Sequence, residues 1–318
     1  MNKQQQLSRV LVVGAGTMGH SIAQVFAQAG LSVDLADTKT ETLELALTNI
    51  AENLSTIKQS EGSSADETAE YIELVLGHIT PTTNLSEAAT RADIVFEAVY
   101  ESVEAKQSVF NILEKHLSVE TIIASNTSVL DLFEETTLSH PERLVCAHWF
   151  SPPHIVPLIE VVGGPDTSEE VVNQIVSFLE SVGKRPLVMK TFIPGFIANR
   201  IMMAMADAAV ELLDLDIATP QDIDYAIMTS VGVRLGVVGI FQSLDFNGLD
   251  LIAGDTSLDE LPNYLRTRIE SGDLGIKTGR GIYEYETNSQ LETLRKRDLS
   301  YLAVLRALEN SSNFRPIN

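Results

Sequence analysis

A histidine and a glutamate twelve residues apart are the strongest candidates for acid–base chemistry. His148 ends one apolar strand pattern, and Glu160 stands alone in the next apolar segment, Pro157-Leu158-Ile159-Glu160-Val161-Val162. At the carboxyl end of a strand in an open α/β sheet, a histidine faces the ligand crevice and can remove a hydroxyl proton. A buried lone carboxylate needs a partner, and pairing would fix the imidazole tautomer. The spacing fits this pair and fits equally a histidine satisfied by backbone and a glutamate on a solvated face.

Two further polar segments follow apolar patterns. Ser125-Asn126-Thr127-Ser128 presents hydroxyls to the same crevice or, the favoured interpretation, caps a helix beginning near Val129. Asn199 lies in the apolar pattern Pro194-Gly195-Phe196-Ile197-Ala198-Asn199-Arg200. An asparagine in such a helix bonds a specific partner, which is either structural or a substrate oxygen.

The segment Gly14-Ala15-Gly16-Thr17-Met18-Gly19 predicts a dinucleotide-binding turn, because an apolar strand precedes it and an apolar-faced helix follows. The glycines permit the tight turn, the approach of pyrophosphate and close helix–sheet packing, and the helix N-terminus favours phosphate. Asp37 ends the next strand, where a carboxylate accepts both ribose hydroxyls and repels a 2′-phosphate. The pattern predicts NAD as cofactor, contacted by Gly14, Gly16, Thr17, Met18, Gly19 and Asp37; a glycine turn without a ligand is the alternative.

Strand and helix patterns alternate up to about residue 190 and give way to helix patterns alone after Pro194-Gly195. We predict a Rossmann-type, doubly wound, mostly parallel sheet in residues 1–190, with a helical insertion at about 40–77, and an all-α domain in residues 191–318. The predicted strands are 9–13, 31–36, 92–99, 121–124, 144–149, 158–162 and 185–189. The predicted helices are 18–29, 40–60, 66–77, 101–116, 168–182, 196–215, 220–228, 258–271 and 290–308.

Charge and composition exclude several classes of partner. The 318 residues carry 22 basic and 44 acidic side chains, a net charge of −22, which disfavours nucleic acid and anionic membranes. The richest apolar stretch, Ile201 to Leu213, is interrupted by Asp207 and Glu211, so no membrane span is predicted. The N-terminus lacks the form of a signal peptide. Cys146 is the only cysteine, which fits a reducing cytoplasm and a core position. His148 and His154 lack metal-ligand spacing, so no metal is predicted.

In the order and spacing of its motifs, the chain resembles the L-3-hydroxyacyl-CoA dehydrogenase family from about Arg9 to Tyr285. The matching pieces are Gly14 to Gly19, Ser125 to Ser128, His148 running into Glu160-Val161-Val162, Pro194 to Arg200, and Lys277-Thr278-Gly279-Arg280-Gly281-Ile282-Tyr283. The resemblance implies reversible, NAD-dependent oxidation of a short-chain L-3-hydroxyacyl-CoA, such as 3-hydroxybutyryl-CoA, to the 3-oxoacyl-CoA.

The resemblance also implies individual roles. His148 corresponds to the general base and Glu160 to the carboxylate that orients it, while Ser128 and Asn199 match the residues that hold the reacting oxygen. Glu101, Lys106 and Ser128 fall at cofactor-contacting positions, and the insertion matches the segment that contacts acyl-CoA. The family is typically a homodimer through its C-terminal helices, which suits the apolar region from Ile201 to Leu213.

Three departures from the family pattern bear on the substrate. Ser151 replaces the usual asparagine beside the nicotinamide. Residues 49–64 contain one lysine, Lys58, and the CoA-contacting serine and lysine of the family fall near Asn53 and Ser60. The segment Gly232-Val233-Arg234-Leu235-Gly236 resembles a subgroup that oxidises smaller, CoA-free hydroxy acids and carnitine-like compounds.

Two alternatives follow from these departures. Arg234 clamps a substrate carboxylate or is a surface arginine at a helix end, so the first alternative is the same chemistry on a small CoA-free 3-hydroxy acid, gulonate-like or carnitine-like. The second is a non-enzymatic NAD-binding structural protein, against which the intact set of His148, Glu160, Ser128 and Asn199 argues.

Overall fold

The computed structural model of the chain describes residues 7–254, 256–286, 290–311 and 314. The chain divides into two compact units, Met1–Met203 and Ala204–Asn318. This division falls inside a helix, 198–214, whereas the boundary predicted from the sequence lies where the last strand ends. Residues 1–6, for which the sequence predicts no signal peptide, lie outside the described part of the chain.

The described part of the first unit forms one eight-stranded sheet in the order β3-β2-β1-β4-β5-β6-β7-β8. Six neighbouring pairs are parallel and β6–β7 is antiparallel, so the predicted doubly wound, mostly parallel sheet is confirmed. The order runs outward in both directions from the adjacent strands β1 and β4, and ligands bind at the carboxyl ends of strands at such a point. The strands are β1 (Arg9–Val13), β2 (Ser32–Ala36), β3 (Ile79–Thr82), β4 (Ile94–Glu97), β5 (Ile122–Ser125), β6 (Leu144–Trp149), β7 (Leu158–Gly163) and β8 (Arg185–Val188).

Seven helices flank the sheet in the described part of this unit: α1 (Gly19–Gln28), α2 (Thr40–Glu61), α3 (Ala65–Leu76), α4 (Leu85–Ala89), α5 (Val103–His116), α6 (Leu132–Glu135) and α7 (Glu169–Ser181). Helices α2 and α3 are the predicted insertion. Gly62 ends α2 in the left-handed conformation, and the capping box of Ser64 and Glu67 starts α3 at once, so the two helices turn back on each other.

Aromatic side chains anchor the sheet where β6 ends. Phe26 of α1 packs on Phe96 of β4 with ring centroids 4.6 Å apart, and Trp149 meets both rings edge-on. All three side chains are almost completely buried, and edge-to-face pairs of this kind add to the burial energy. The packing holds the end of β6 rigidly, and His148 precedes Trp149 there.

The described part of the second unit is helical apart from isolated bridges near Arg280. Helix α8 (Ala198–Asp214) leads into it, followed by α9 (Pro220–Ala226), α10 (Gly232–Asn247), α11 (Leu249–Ala253), α12 (Asn263–Glu270) and α13 (Gln290–Ser311). A π-helical turn, 227–231, joins α9 to α10, and Gly239 interrupts α10 with a φ of 67°. By length and composition alone, the run Pro220–Asn247 is long and apolar enough to cross a membrane.

Several elements differ from the sequence-based predictions, among them the short helices α4 and α11, which were not predicted. Strand β3 was not predicted because its polar sequence contains Pro81; it occupies the sheet edge, where proline is tolerated. Helix α10 was not predicted, because its glycines and its apolar residues on all sides conceal helical periodicity. The helix predicted near Val129 begins at Leu132 and is capped by Asp131, so the prediction that 125–128 form its cap was wrong.

Candidate active site

A cavity of about 1120 Å³ opens at the carboxyl ends of β1, β2, β4 and β6. Its volume lies slightly above the usual range of about 300–1,000 Å³ for small-molecule and cofactor sites. Most residues predicted to contact cofactor or substrate line it: Gly14, Gly16, Thr17, Met18, Asp37, Glu101, Ser128, His148, Ser151 and Asn199. The structure therefore gathers the predicted cofactor turn and the predicted acid–base residues around one space.

The glycine turn between β1 and α1 fits a dinucleotide. Gly14 has a φ of 95°, and a Cβ there would lie 2.6 Å from the carbonyl oxygen of Ala98 on the neighbouring chain segment. A Cβ on Gly19 would overlap the carbonyl of Gly14, so both glycines are required by the turn itself. Gly16 differs, since a Cβ there would meet no atom within 4 Å. Its free side faces the cavity, where a pyrophosphate group would approach the backbone.

Asp37 is held with its carboxylate toward the same cavity. Its Oδ2 accepts a hydrogen bond from the Ala15 N–H at 2.9 Å, and its Oδ1 accepts one from the Lys39 N–H at 3.1 Å. The first of these bonds joins the end of β2 to the glycine turn. The carboxylate is thereby preorganised to accept ribose hydroxyls, as the NAD prediction requires.

His148 and Glu160 face each other across the antiparallel pair β6–β7. The Nδ1 atom of His148 lies 3.1 Å from Oε2 of Glu160, whose side chain is completely buried. Oε1 of Glu160 accepts hydrogen bonds from the N–H groups of Ile197 and Ala198 at 3.0 and 3.1 Å. The carboxylate is therefore fully engaged at the start of α8, and it fixes the imidazole with Nδ1 as the donor and Nε2 as the free lone pair.

The imidazole of His148 is held from three further directions. Its ring stacks on Phe196 with centroids 4.4 Å apart and meets the ring of Phe150 at 4.5 Å. Nδ2 of Asn199 lies 3.4 Å from Nε2 of the histidine, so the amide and the free lone pair stand together at the cavity. A hydroxyl group bound beside both atoms would have a proton acceptor and a hydrogen-bonding side chain within reach.

Glu101 organises the loop that carries Ser128. One carboxylate oxygen accepts hydrogen bonds from the Ser128 N–H at 2.7 Å, the Thr127 hydroxyl at 2.8 Å and the Val129 N–H at 3.1 Å. Burial raises the pKa of Glu101, but the Ser128 N–H and the charge of Lys106 outweigh it and hold that pKa below its usual range. Glu101 is therefore an anion on the cavity wall at neutral pH.

Lys106 lies behind this wall and does not line the cavity. Its side chain is completely buried, with the ammonium group 3.0 Å from each oxygen of Glu97 and 3.3 Å from Glu101. Glu97 was not singled out in the sequence, although it is a lone carboxylate in an apolar strand, the same signal that singled out Glu160. Ser125 donates its hydroxyl hydrogen to Glu97. Oδ1 of Asn126 accepts a hydrogen bond from the backbone N–H of Trp149 at 2.9 Å.

The residues predicted to contact substrate form hydrogen bonds or ion pairs with other residues of the protein. Nδ2 of Asn53 donates to Gln24 at 3.0 Å, and the Lys58 ammonium lies 2.7 Å from Glu61 and 4.5 Å from the ring centre of Tyr71. Ser60 donates to the carbonyl of Ile57. Arg234 belongs to the second unit, where its guanidinium contacts Ser230. None of the three insertion residues lines the cavity.

Two minor predictions concern Cys146 and metal ions. Cys146 is completely buried in β6, and burial raises the pKa of its thiol, as for a small core residue. Among the described residues, no group of three or more His, Cys, Asp or Glu side chains is placed to hold a metal ion.

The glycine turn, the oriented acid–base residue and the doubly wound sheet together define an NAD-dependent dehydrogenase. Residues 9–192 match the NAD-binding domain of 3-hydroxyacyl-CoA dehydrogenase, and residues 195–285 match the C-terminal domain of the same family. The chain belongs to the 3-hydroxyacyl-CoA dehydrogenase family. The predicted family, cofactor and class of enzyme are confirmed.

Individual relatives differ in the substrate that their names give. The chain is 30% identical over 316 residues to 5-formyl-3-hydroxy-2-methylpyridine 4-carboxylate 5-dehydrogenase of Mesorhizobium japonicum, covering 95% of this chain and 99% of that protein. It is 32% identical to a probable 3-hydroxybutyryl-CoA dehydrogenase of Bacillus subtilis, covering 88% and 98%. The crystal structure of a 3-hydroxyacyl-CoA dehydrogenase from Archaeoglobus fulgidus superposes with a TM-score of 0.76 at 29% identity, covering 95% and 99%.

Proposed function

We propose that this protein oxidises the 3-hydroxyl of an L-3-hydroxyacyl-type substrate with NAD, reversibly, with His148 as general base. The observation that carries the proposal is the placement of His148 between Glu160 and Asn199 at the cavity. Glu160 holds the Nδ1–H of the imidazole, so Nε2 takes the hydroxyl proton in oxidation and returns it in reduction. Bound NAD supplies the hydride acceptor. Asn199 and Ser128 hold the reacting oxygen, and Ser151 contacts the nicotinamide amide.

The first candidate substrate is a short-chain L-3-hydroxyacyl-CoA, such as 3-hydroxybutyryl-CoA. Membership of the family and the similarity to the Bacillus protein support it. A role in fatty acid metabolism would follow from this substrate. The insertion α2–α3 would then contact the coenzyme A moiety, through residues near Asn53 and Lys58.

The second candidate is the same chemistry on a small CoA-free hydroxy acid, and the insertion favours it. Residues 40–77 contain eight acidic side chains and one basic one, Lys58, which Glu61 neutralises. Because coenzyme A carries several phosphate charges, an acidic surface with its one ammonium group already paired would repel it. The name of the Mesorhizobium relative gives a pyridine carboxylate as substrate, which supports this candidate. In this case Arg234 is the proposed partner of the substrate carboxylate.

A spectrophotometric assay of NADH oxidation separates the candidates. Acetoacetyl-CoA should be reduced if the first is right, and free 3-oxo acids alone should be reduced if the second is right. His148→Gln is the matched control, since any rate that it retains is not due to the proposed site. Binding of NADH without turnover on either class of substrate would instead support a structural protein and overturn the enzymatic proposal.

We further propose a cytoplasmic homodimer that associates through its C-terminal helices. Helix α8 exposes Met202, Met203 and Val210 by 61%, 58% and 53%, and exposed apolar side chains grouped on one helix are typical of an interaction surface. Sedimentation analysis should give about twice the chain mass. Val210→Asp should shift that mass toward the monomer; a wild-type monomer would contradict the proposal.

A further inference from the structure

A buried ion cluster lies directly behind the cavity wall and reaches the cavity through one of its members, Glu101. It consists of Glu97 at the end of β4, Lys106 in α5 and Glu101 in the turn between these elements. Lys106 lies 3.0 Å from both oxygens of Glu97 and 3.3 Å from Glu101. Glu97 and Lys106 are completely buried, whereas 28% of the Glu101 side chain is exposed.

Each charged group in the cluster has hydrogen-bond or ion-pair partners. Glu97 also accepts the N–H of Val99 at 2.7 Å and the hydroxyl hydrogen of Ser125. Two carboxylates therefore share one ammonium group, and backbone N–H groups complete their coordination. Such buried ion pairs are often no more stabilising than apolar side chains of similar volume. Stability alone therefore does not account for three charges at this position.

The cluster is connected to the proposed site through one side chain. Glu101 accepts hydrogen bonds from three consecutive residues, Thr127, Ser128 and Val129, and lines the cavity together with Ser128. Lys106 is the cation that faces Glu101, and Glu97 is the anion that holds this cation in place. A displacement of Lys106 would therefore reach Ser128 through the carboxylate of Glu101.

We propose that Lys106 and Glu97 are positioning residues for the reaction: Glu97 holds Lys106, Lys106 holds Glu101, and Glu101 places Ser128 against the reacting oxygen. This inference rests on the proposed function, and it changes the sequence-based expectation that Lys106 contacts the cofactor. Neither residue lines the cavity, so both act on the reaction through Glu101 and Ser128.

Two variants separate positioning from stability. Lys106→Met leaves Glu97 buried without its cation, so we expect a lower thermal unfolding midpoint and lower kcat. The double variant Glu97→Gln/Lys106→Met removes both charges together and should recover most of the midpoint. We expect its kcat at saturating NADH to stay at least about tenfold below wild type.

A third variant is the matched control. Arg9 at the start of β1 lies 2.8 Å from the buried Asp34, which is also 3.2 Å from Arg91, and this pair is at the opposite end of the strands from the cavity. Arg9→Met should lower the unfolding midpoint slightly and leave kcat unchanged. A double variant whose kcat at saturating NADH equals that of wild type would overturn the proposal.

The pH profile supplies a readout that a purely structural cluster would not change. Without Lys106, the pKa of Glu101 rises toward its usual range or above it, since burial then opposes the anion with less compensation. In the reductive direction, protonation of His148 assists the reaction, so an acid-side loss of kcat is attributable to Glu101. We expect this loss in the double variant and not in wild type; identical profiles would contradict the proposal. If wild type reduces no substrate at all, the proposed function fails first, and the cluster is then tested by unfolding alone.

Discussion

Glu160 connects His148 to the start of helix α8, because its two carboxylate oxygens bind different structural elements. One oxygen lies 3.1 Å from the imidazole, and the other accepts the N–H groups of Ile197 and Ala198, immediately before Asn199. The base and the amide that faces its free nitrogen are therefore positioned by the same buried carboxylate. Changes at Glu160 should affect both, which distinguishes it from a residue that only neutralises charge.

His148→Gln should reduce turnover by about 10³-fold or more, because general acid–base catalysis contributes about 10²–10⁴-fold. The glutamine cannot take up a proton at neutral pH, whereas the cofactor turn is unchanged. We expect NADH to bind with wild-type affinity in a fluorescence titration. Turnover within tenfold of wild type would remove His148 from the role of general base.

Glu160→Gln should lower kcat by about 10²-fold or more, since loss of the carboxylate permits the wrong imidazole tautomer. The glutamine oxygen can still accept the N–H groups of residues 197 and 198, so the fold should persist. Steady-state kinetics and circular dichroism measured on the same preparation test both statements. A variant with a native spectrum and unchanged kcat would show that Glu160 does not orient the base.

Gly16→Ala should weaken cofactor binding, whereas Gly19→Ala should destabilise the fold. A methyl group on Gly16 meets no protein atom, so the unfolding midpoint should stay close to wild type or rise slightly. The same methyl group occupies the space where pyrophosphate approaches, so the KM for NAD should rise more than about tenfold. Gly19→Ala overlaps a backbone carbonyl and should destabilise the fold itself. Equal unfolding midpoints for the two variants would contradict this distinction.

Asp37→Ala should weaken NAD binding by about 10- to 100-fold, in line with a lost charge-assisted hydrogen bond of about 1.5–3 kcal/mol. The affinity for NADP should fall less, because the carboxylate that would repel its 2′-phosphate is removed. The ratio of kcat/KM for NAD to that for NADP measures the change. Lys39→Ala is a suitable comparison, because the hydrogen bond from the backbone N–H of residue 39 to Asp37 is retained in this variant. A ratio unchanged by Asp37→Ala would show that Asp37 does not select the cofactor.

Acid pH should destabilise the protein through His154. Burial, followed by the charges of His20 and Lys184, lowers the pKa of this histidine, whose Nδ1 lies 2.6 Å from the Ser21 hydroxyl oxygen. A lowered pKa in the folded state means that the unfolded chain takes up the proton first as pH falls. The free energy of unfolding should therefore decrease below about pH 6.5, the ordinary value for histidine. Denaturant titrations of wild type and His154→Phe at pH 7.5 and 5.5 should show a smaller decrease in the variant; equal decreases would contradict the assignment.

The sequence predicted most of what depends on local pattern. Apolar runs and glycine punctuation placed β1, β6 and the insertion helices nearly at their observed bounds, because burial on a sheet and helical periodicity are properties of short segments. Strand β3 was missed because it lies at the sheet edge, where polar residues and a proline are tolerated and no apolar pattern marks the strand. Helix α10 was missed because Gly236 and Gly239 weaken the helical pattern.

Within the site, residues with distant partners were the least predictable. The spacing of His148 and Glu160 left open whether they meet, and the antiparallel register of β6 and β7 brings them together. The local residues alone favoured a helix cap for Ser125 to Ser128, and only the family resemblance assigned Ser128 to the site, since its partner Glu101 stands 27 residues earlier and gives no local signal. The completely buried position of Lys106 depends in the same way on Glu97, which lies on another element.

The antiparallel register of β6 and β7 also makes the pairing of His148 with Glu160 independent of the residues that connect the two strands. His148 and Glu160 are opposed by strand pairing, so their distance does not depend on the composition of residues 150–157 that connect the strands. Phe150 and Ser151 of that connection line the cavity. The connection can therefore be exchanged at constant length without separating His148 from Glu160, provided that Phe150, which packs on the imidazole ring, is kept.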